Sequence, residues 1–389
     1  MKRLISVVIV LMMLLTVVGC SANTDTSTAS TTSSTASMAS DSTATSDNTK
    51  HKIGMIWYGN TDAMGGTFYA WANHAAELLN VELVWALGSF TTDRELADCE
   101  NLINAGCEAI YFIPMDTAAN LQLGNACQEA GVYWAISNRD ISDDDIRAAV
   151  EANPYFVTHT YDNSYDVCKE MVKTLADSGI TKVCMVSGDP TDAMMVDRNN
   201  GFTDGCEEYG VEILGTFQSS TDGAVIVDGV TNFLTLYPEM QGILAVSATA
   251  GVGEAIISTL DGSGREKGSI KLAAFDTFNG NQQAFEDGWL ACSCGGYTSE
   301  CLITFISLVN RVKGNVISDK VFDLTLAPLL ITSAEDMKIF SEYVDNPEIQ
   351  LYSDEQILSL VGPDVTAEDY QAVLDNWSID FVKQATGIE

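Results

Sequence analysis

Eight side chains stand where contact with a small molecule is expected. Tyr58 closes an apolar run, and Phe68 and Tyr69 follow the Gly-rich stretch GNTDAMGG. Asn138 and Arg139 close another apolar run, with Asp140 behind them. Arg198 stands at the mouth of a helical stretch, and Ser247 and Asp276 each end an apolar run. Carboxylates and guanidinium groups make paired hydrogen bonds to vicinal hydroxyls, and aromatic faces cover the apolar C–H side of a sugar ring. The set therefore suits a neutral polyhydroxylated ligand. Plainer roles stand beside this one: a surface pair for Arg139 and Asp140, a solvated helix position for Arg198, core packing for Trp57 and Phe68. Asp276 is hardest to explain otherwise, because a carboxylate directly after KLAAF is costly to bury without partners.

The elements that must position these residues alternate. Runs rich in β-branched and aromatic residues fall at 53–58, 82–87, 109–113, 132–137, 155–158, 182–187, 211–216, 243–247 and 271–275. Between them lie helix-spaced segments near 67–80, 92–105, 117–129, 165–178, 198–209, 224–237, 250–260 and 278–287. Gly106 and Gly131 fit helix C-caps. The pattern predicts an α/β chain of two Rossmann-like, doubly wound parallel-sheet lobes. Ligands of such sheets bind outside the carboxyl ends of the strands, where the eight residues stand.

Charge and composition remove other classes. With 19 basic and 54 acidic residues the formal charge is −35, which repels polyphosphate and argues against a nucleic-acid partner. Three His leave little for a His-based catalytic or metal centre. G-x-S-x-G and P-loop patterns are missing, and GVGEA at 251–255 lacks the third Gly of a dinucleotide fingerprint. The reading is therefore of no enzyme, no cofactor and no metal.

The N-terminus reads as an address. Lys2 and Arg3 precede an apolar run from Leu4 to Val18, about 15 residues against the roughly 20 of a membrane span. The run ends in Val17-Val18-Gly19-Cys20, which resembles the lipobox of bacterial lipoproteins, so Cys20 is the expected lipidation site. Residues 21–49 are Ser, Thr, Ala, Asp and Asn almost throughout, a composition that cannot bury a core. Such a linker spans roughly 30 Å root-mean-square. Nine further Cys, an odd number with irregular spacing, read as buried thiols rather than a disulfide framework.

The order of segments from about 52 to 330 resembles the type 1 periplasmic binding proteins, the ribose- and galactose-binding group. The segments that carry the resemblance are KIGMIWY, INAGCEAIYFIPMD, YWAISNRD, DRNNGF, TLYPEMQGILAVSATAGVGEA, LAAFDTFNGNQQAFEDG and VFDLTL. The resemblance implies an Asp-Arg position at Asn138-Arg139, a second sugar-binding Arg at Arg198, an aromatic position near Phe68 and a ligand carboxylate at Asp276. Departures are Asn138 for Asp, Ser247 where ribose binders carry Asn, Gly296 beside Tyr297 where Gln is usual, and a longer first loop.

It also implies three crossovers, near 160–162, 295–298 and 322–325. The expected organisation is a signal peptide over 1–19, a lipidated Cys and linker over 20–50, an N-terminal lobe of 51–160 plus 297–323, and a C-terminal lobe of 161–296 plus 324–389 with a helical extension. The implied function is that of a monomeric, extracytoplasmic, membrane-anchored receptor. It would pass a sugar or related polyol to the permease and ATPase of an ABC transporter. A nucleoside, autoinducer-like or amino-acid ligand, and a sensor role in chemotaxis or signalling, stand as alternatives.

Overall fold

The computed structural model describes residues 50–117, 119–190 and 192–388. The leader over 1–19, Cys20 and the linker up to residue 49 lie outside these residues. Thr49–Glu389 forms one compact unit. The chain runs β1 (His51–Trp57), α1 (Ala63–Leu78), β2 (Val81–Leu87), α2 (Thr92–Asn104), β3 (Ala109–Phe112), α3 (Ala119–Ala130), β4 (Tyr133–Ile136), α4 (Asp144–Glu151), β5 (Phe156–Asp162). It continues α5 (Ser164–Asp177), β6 (Lys182–Ser187), α6 (Ala193–Tyr209), β7 (Glu212–Gln218), α7 (Gly223–Leu236), β8 (Gly242–Ala245), α8 (Val252–Gly262), β9 (Lys271–Ala274), α9 (Asn281–Glu286), β10 (Leu290–Gly295). Then follow α10 (Thr298–Val312), β11 (Phe322–Leu326), β12 (Leu329–Ile331), α11 (Ala334–Ile339), a π-helical turn over Phe340–Val344, α12 (Asp354–Ser359), α13 (Ala367–Asp375) and α14 (Ile379–Thr386).

Among the described residues the strands form two six-stranded sheets, ordered β11-β5-β4-β3-β1-β2 and β12-β10-β9-β8-β6-β7. All pairings are parallel except β10 with β12. Side-chain alternation explains why both faces are covered by helices. On β3, Ala109 and Tyr111 enter one apolar cluster and Ile110 and Phe112 another. On β9, Leu272 and Ala274 face one side, and Ala273 the other, with Phe275 just beyond the strand. A strand buried on both faces has to be apolar throughout, which is why these runs read as continuous.

The chain passes between the lobes at residue 163, at 296–297 and at 327–328, where an element of one sheet gives way to an element of the other. The third passage comes later than the sequence implies, because Phe322–Leu326 pairs along β5 as the edge strand of the first sheet. The tail adds a fourth passage. Helix α11 packs on α9 of the second lobe, whereas α12 and α13 pack on α1, α10 and β11 of the first. Trp71 Nε1 donates to the Ile349 carbonyl at 2.6 Å, and Gln371 bonds both backbone polar groups of Thr325, at 3.1 and 2.9 Å. That pairing covers the open edge of β11. The sequence groups 324–389 with the second lobe. The structure divides this stretch, since Tyr352, Tyr370, Leu374 and Trp377 join the core of the first lobe. All nine Cys from 99 to 301 are buried and free.

Candidate functional site

The two sheets meet at the carboxyl ends of their strands. In the first lobe the strand order reverses between β1 and β3, in the second between β6 and β8, and each reversal opens a crevice at that end. The most densely bonded cluster of the predicted residues is in the second lobe. Asp276 follows β9 with φ 67°, a left-handed conformation that Asp and Asn tolerate better than most residues. Its Oδ2 accepts from the Arg198 guanidinium at 3.1 Å and from Ser247 Oγ at 2.9 Å, and its Oδ1 accepts from Tyr297 Oη at 2.8 Å.

Arg198 is only 3% exposed. Its guanidinium lies 3.6 Å from the centre of the Phe275 ring, donates to the Val246 carbonyl at 3.2 Å and to Ser164 Oγ at 3.3 Å, and sits 3.7 Å from Asp162. Burial opposes its charge, but Asp276, Tyr297 and Asp162 outweigh this and hold its pKa above the ordinary value. Burial, then Asp276, holds the Tyr297 hydroxyl well above its ordinary range, so it stays a donor. Ser164 Oγ donates in turn to Asp162 Oδ2 at 2.6 Å. Asp162 and Ser164 flank the first passage between lobes, so this network reaches from the second lobe to that passage.

Across the cleft, Asn138 follows β4 with φ 55°. Its Nδ2 donates to Glu300 Oε1 at 2.8 Å, and its carbonyl and Oδ1 accept from the Arg139 guanidinium at 2.6 and 3.0 Å. Glu300 is fully buried in the first turn of α10, and its Oε2 has no hydrogen-bond partner. Burial, reinforced by Asp162, holds its carboxyl well above the usual range and favours the neutral acid. Glu95, also fully buried, accepts from the Met115 amide at 3.0 Å and is raised to about 7, chiefly by burial. The floor of the first lobe is thus set on two buried carboxyls beneath Arg139.

Between the lobes lies a chamber of about 440 Å³, lined by Met115, Asn138, Arg139 and Asp140 on one side and by Asp192 and Asp197 on the other. This volume is in the range of small-molecule sites. Asp140 is tied to Arg147 at 2.6 Å, and Arg147 to Asp323 at 3.1 Å. The fully buried His159 lies 3.6 Å from Asp140 and 3.1 Å from Asp323. Burial opposes the His159 charge, but the two carboxylates prevail and raise its pKa.

Of the eight predicted residues, Arg198, Ser247 and Asp276 form one bonded cluster, and Asn138 and Arg139 line the chamber. Tyr58 stands nearby, half-buried, donating to Asp62 at 3.1 Å. Two of the eight are corrected. Phe68 is fully buried with its ring against Trp57 and Tyr111, at 4.5 and 5.2 Å, because this position of α1 faces the sheet. Tyr69 packs on Trp85 of the edge strand β2 at 4.6 Å and lines neither the chamber nor the Asp276 cluster. Sequence reasoning missed Asp162, Ser164, Tyr297 and Glu300. The Asp162-Asn163-Ser164 step, a helix-capping pattern directly after a strand, was the available signal for the first two.

A model of the periplasmic binding protein domain family matches residues 53–300. Comparison with curated protein sequences gives no match. Among solved structures, the chain is similar to an ABC transporter periplasmic solute-binding protein from Actinobacillus succinogenes with bound D-allose. The TM-score is 0.63 and the identity 16%, over 74% of this chain and 99% of that one. It is similar to a solute-binding protein from Bacillus halodurans with bound myo-inositol, at TM-score 0.61 and 18% identity over 77% and 99%. A periplasmic ribose ABC transporter protein from Conexibacter woesei gives 0.62 and 15% over 75% and 95%. At these identities the likeness shows the fold, two parallel α/β lobes.

Proposed function

The chain belongs to the periplasmic binding protein family, whose members are solute receptors and not enzymes, and on that premise we propose that it captures a neutral sugar or related polyol between its lobes. The observation that carries this reading is the Asp276 cluster. A carboxylate and a guanidinium, held 3.1 Å apart with Ser247 and Tyr297 on the same carboxylate, offer acceptors and donors in fixed geometry to adjacent hydroxyls. Arg139 and Asn138 face them from the other lobe. The bound proteins from Actinobacillus succinogenes and Bacillus halodurans, with allose and inositol, are consistent with such a ligand.

The passages between lobes serve as the hinge. Ligand that touches both lobes favours the closed form by its differential affinity. An ABC transporter permease can then tell loaded receptor from empty. The Val17–Cys20 pattern supports anchoring outside the cytoplasmic membrane through a lipid on Cys20.

A thermal-shift screen of the purified protein against monosaccharides, polyols, nucleosides and amino acids tests the ligand. A ligand at about 100 times its Kd adds roughly 2.7 kcal/mol of stability. Shifts with sugars or polyols support the proposal. Shifts confined to nucleosides or amino acids overturn it.

A further inference from the structure

The cleft is larger than one sugar ring requires. A single ring displaces on the order of six waters, roughly 180 Å³ at about 30 Å³ each, and the chamber beside Asn138 and Asp197 alone holds about 440 Å³. A second chamber of about 530 Å³ is lined by Ala248 and Thr277, the chain neighbours of Ser247 and Asp276. Asp62 of the first lobe and Glu254, Phe278 and Asn279 of the second form its sides. Met337, Ser341 and Asp345 also line it, and all three belong to the tail, beyond the residues that match the family. The allose-bound relative is covered almost to its full length while a quarter of this chain has no counterpart in it, more than residues 1–49 account for.

The chemistry of the second chamber is one-sided. Its charged lining residues are Asp62, Glu254 and Asp345, with no Lys, Arg or His among them. Glu254 Oε1 accepts from the Asn279 amide and side chain, both at 3.2 Å, while its buried Oε2 has no hydrogen-bond partner. Such a wall accepts hydrogen bonds from hydroxyls and rejects an anion. Phe278 turns a half-buried ring to the same space, which suits the C–H face of a sugar. Gly253 is required behind it, since a methyl there would run into the Phe278 ring. Burial, then the neighbouring Asp62, raises Asp345 to about 7.

The geometry points to a second subsite, walled by residues 337–345 of the tail, that takes the second neutral unit of a disaccharide or sugar glycoside whose first unit lies on Asp276 and Arg198. This assignment rests on the carbohydrate reading of the cleft. The tail is then a selectivity element, absent from the matched family region.

Calorimetric titration tests it with maltose, cellobiose, lactose, melibiose and sucrose beside glucose, galactose and fructose. The wild-type protein is expected to bind one of the disaccharides at least about 30-fold more tightly than either of its component monosaccharides. Ser341→Trp, at an exposed position, fills the chamber and removes that advantage while monosaccharide binding stays within about threefold. Asp345→Asn, which keeps the shape, is expected to weaken the disaccharide alone. Monosaccharides binding as tightly as any disaccharide, with both variants unchanged, would overturn the second subsite and leave the carbohydrate reading standing. Binding of no carbohydrate at all would overturn both.

Discussion

Replacing Asp276 by Asn is the sharpest perturbation of the site. The two side chains share a shape, and both tolerate the left-handed backbone at φ 67°, so the change is electronic rather than steric. Asn keeps one acceptor for Tyr297 but turns an amide toward the Arg198 guanidinium, which is 3% exposed and 3.1 Å away. Removing one partner of a buried ion pair costs about 3–5 kcal/mol when the other charge is stranded. Asp162, 3.7 Å from the same guanidinium, retains part of the compensation. The expected loss is therefore about 2–3 kcal/mol, read as a fall of roughly 3–4 °C in Tm for a unit of this size. Ligand affinity should fall further, by about 2–5 kcal/mol, because the same carboxylate is assigned to the ligand hydroxyls. Asp276→Ala adds backbone strain on the order of 1 kcal/mol and should be worse on both counts. Differential scanning calorimetry and isothermal titration measure the two effects separately. A protein with Asn at this position and wild-type Tm and affinity would refute both the buried pair and its place in the site.

Arg198→Lys loses the stacking on Phe275 and the fork of contacts to Asp276, Val246 and Ser164, since a point charge cannot reproduce them; titration should show binding weakened at least about tenfold. The His159 cluster sets a pH dependence. A histidine raised above its ordinary value of about 6.5 stabilises the fold fully below that pH and loses its contribution as pH rises through its folded pKa. Asp140 and Asp323, held low by His159 and Arg147, stabilise above about 4 and lose their contribution as pH falls through their own folded values. Urea denaturation should therefore show stability declining above pH ~6.5, and His159→Gln should flatten that limb; an unchanged slope would remove His159 from the account. Burial pushes Cys107 up to about 11 and Cys184 up to about 12. A thiol reagent at neutral pH should therefore find the nine Cys between 99 and 301 unreactive in the native protein and titrate all nine after denaturation.

The alternation of strand and helix was readable because strands buried on both faces must be apolar end to end, as 109–113 and 272–275 are. The residues ending those strands were readable for the same reason, since Ser247 and Asp276 break runs that packing would otherwise continue. Phe68 misled because its place after the Gly-rich loop drew it toward the ligand; Asn73, His74 and Glu77 mark the polar face of α1, and the ring of Phe68 on the buried face packs on Trp57 and Tyr111. Asp162, Ser164, Tyr297 and Glu300 stand where the chain changes lobes, and no periodicity survives such a change. Half of β5 was lost for a related cause. The apolar run stops at Thr158, before the polar His159, and only Asp140, Arg147 and Asp323, brought from three other segments, allow that histidine to lie fully buried in a strand.

The divided tail bears on the order in which the molecule assembles. The second lobe is nearly contiguous, its strands β6 to β10 falling between residues 182 and 295. The first lobe begins at residue 51 yet draws core residues from as far as Val382. As the chain emerges N-terminus first outside the membrane, the lobe that arrives first must wait longest, with Trp71 exposed until the backbone near Ile349 and then Trp377 arrive. A chain held open in this way stays extensible until its last turn of helix is in place, and the moment of completion, rather than the start of collapse, sets when the receptor becomes competent.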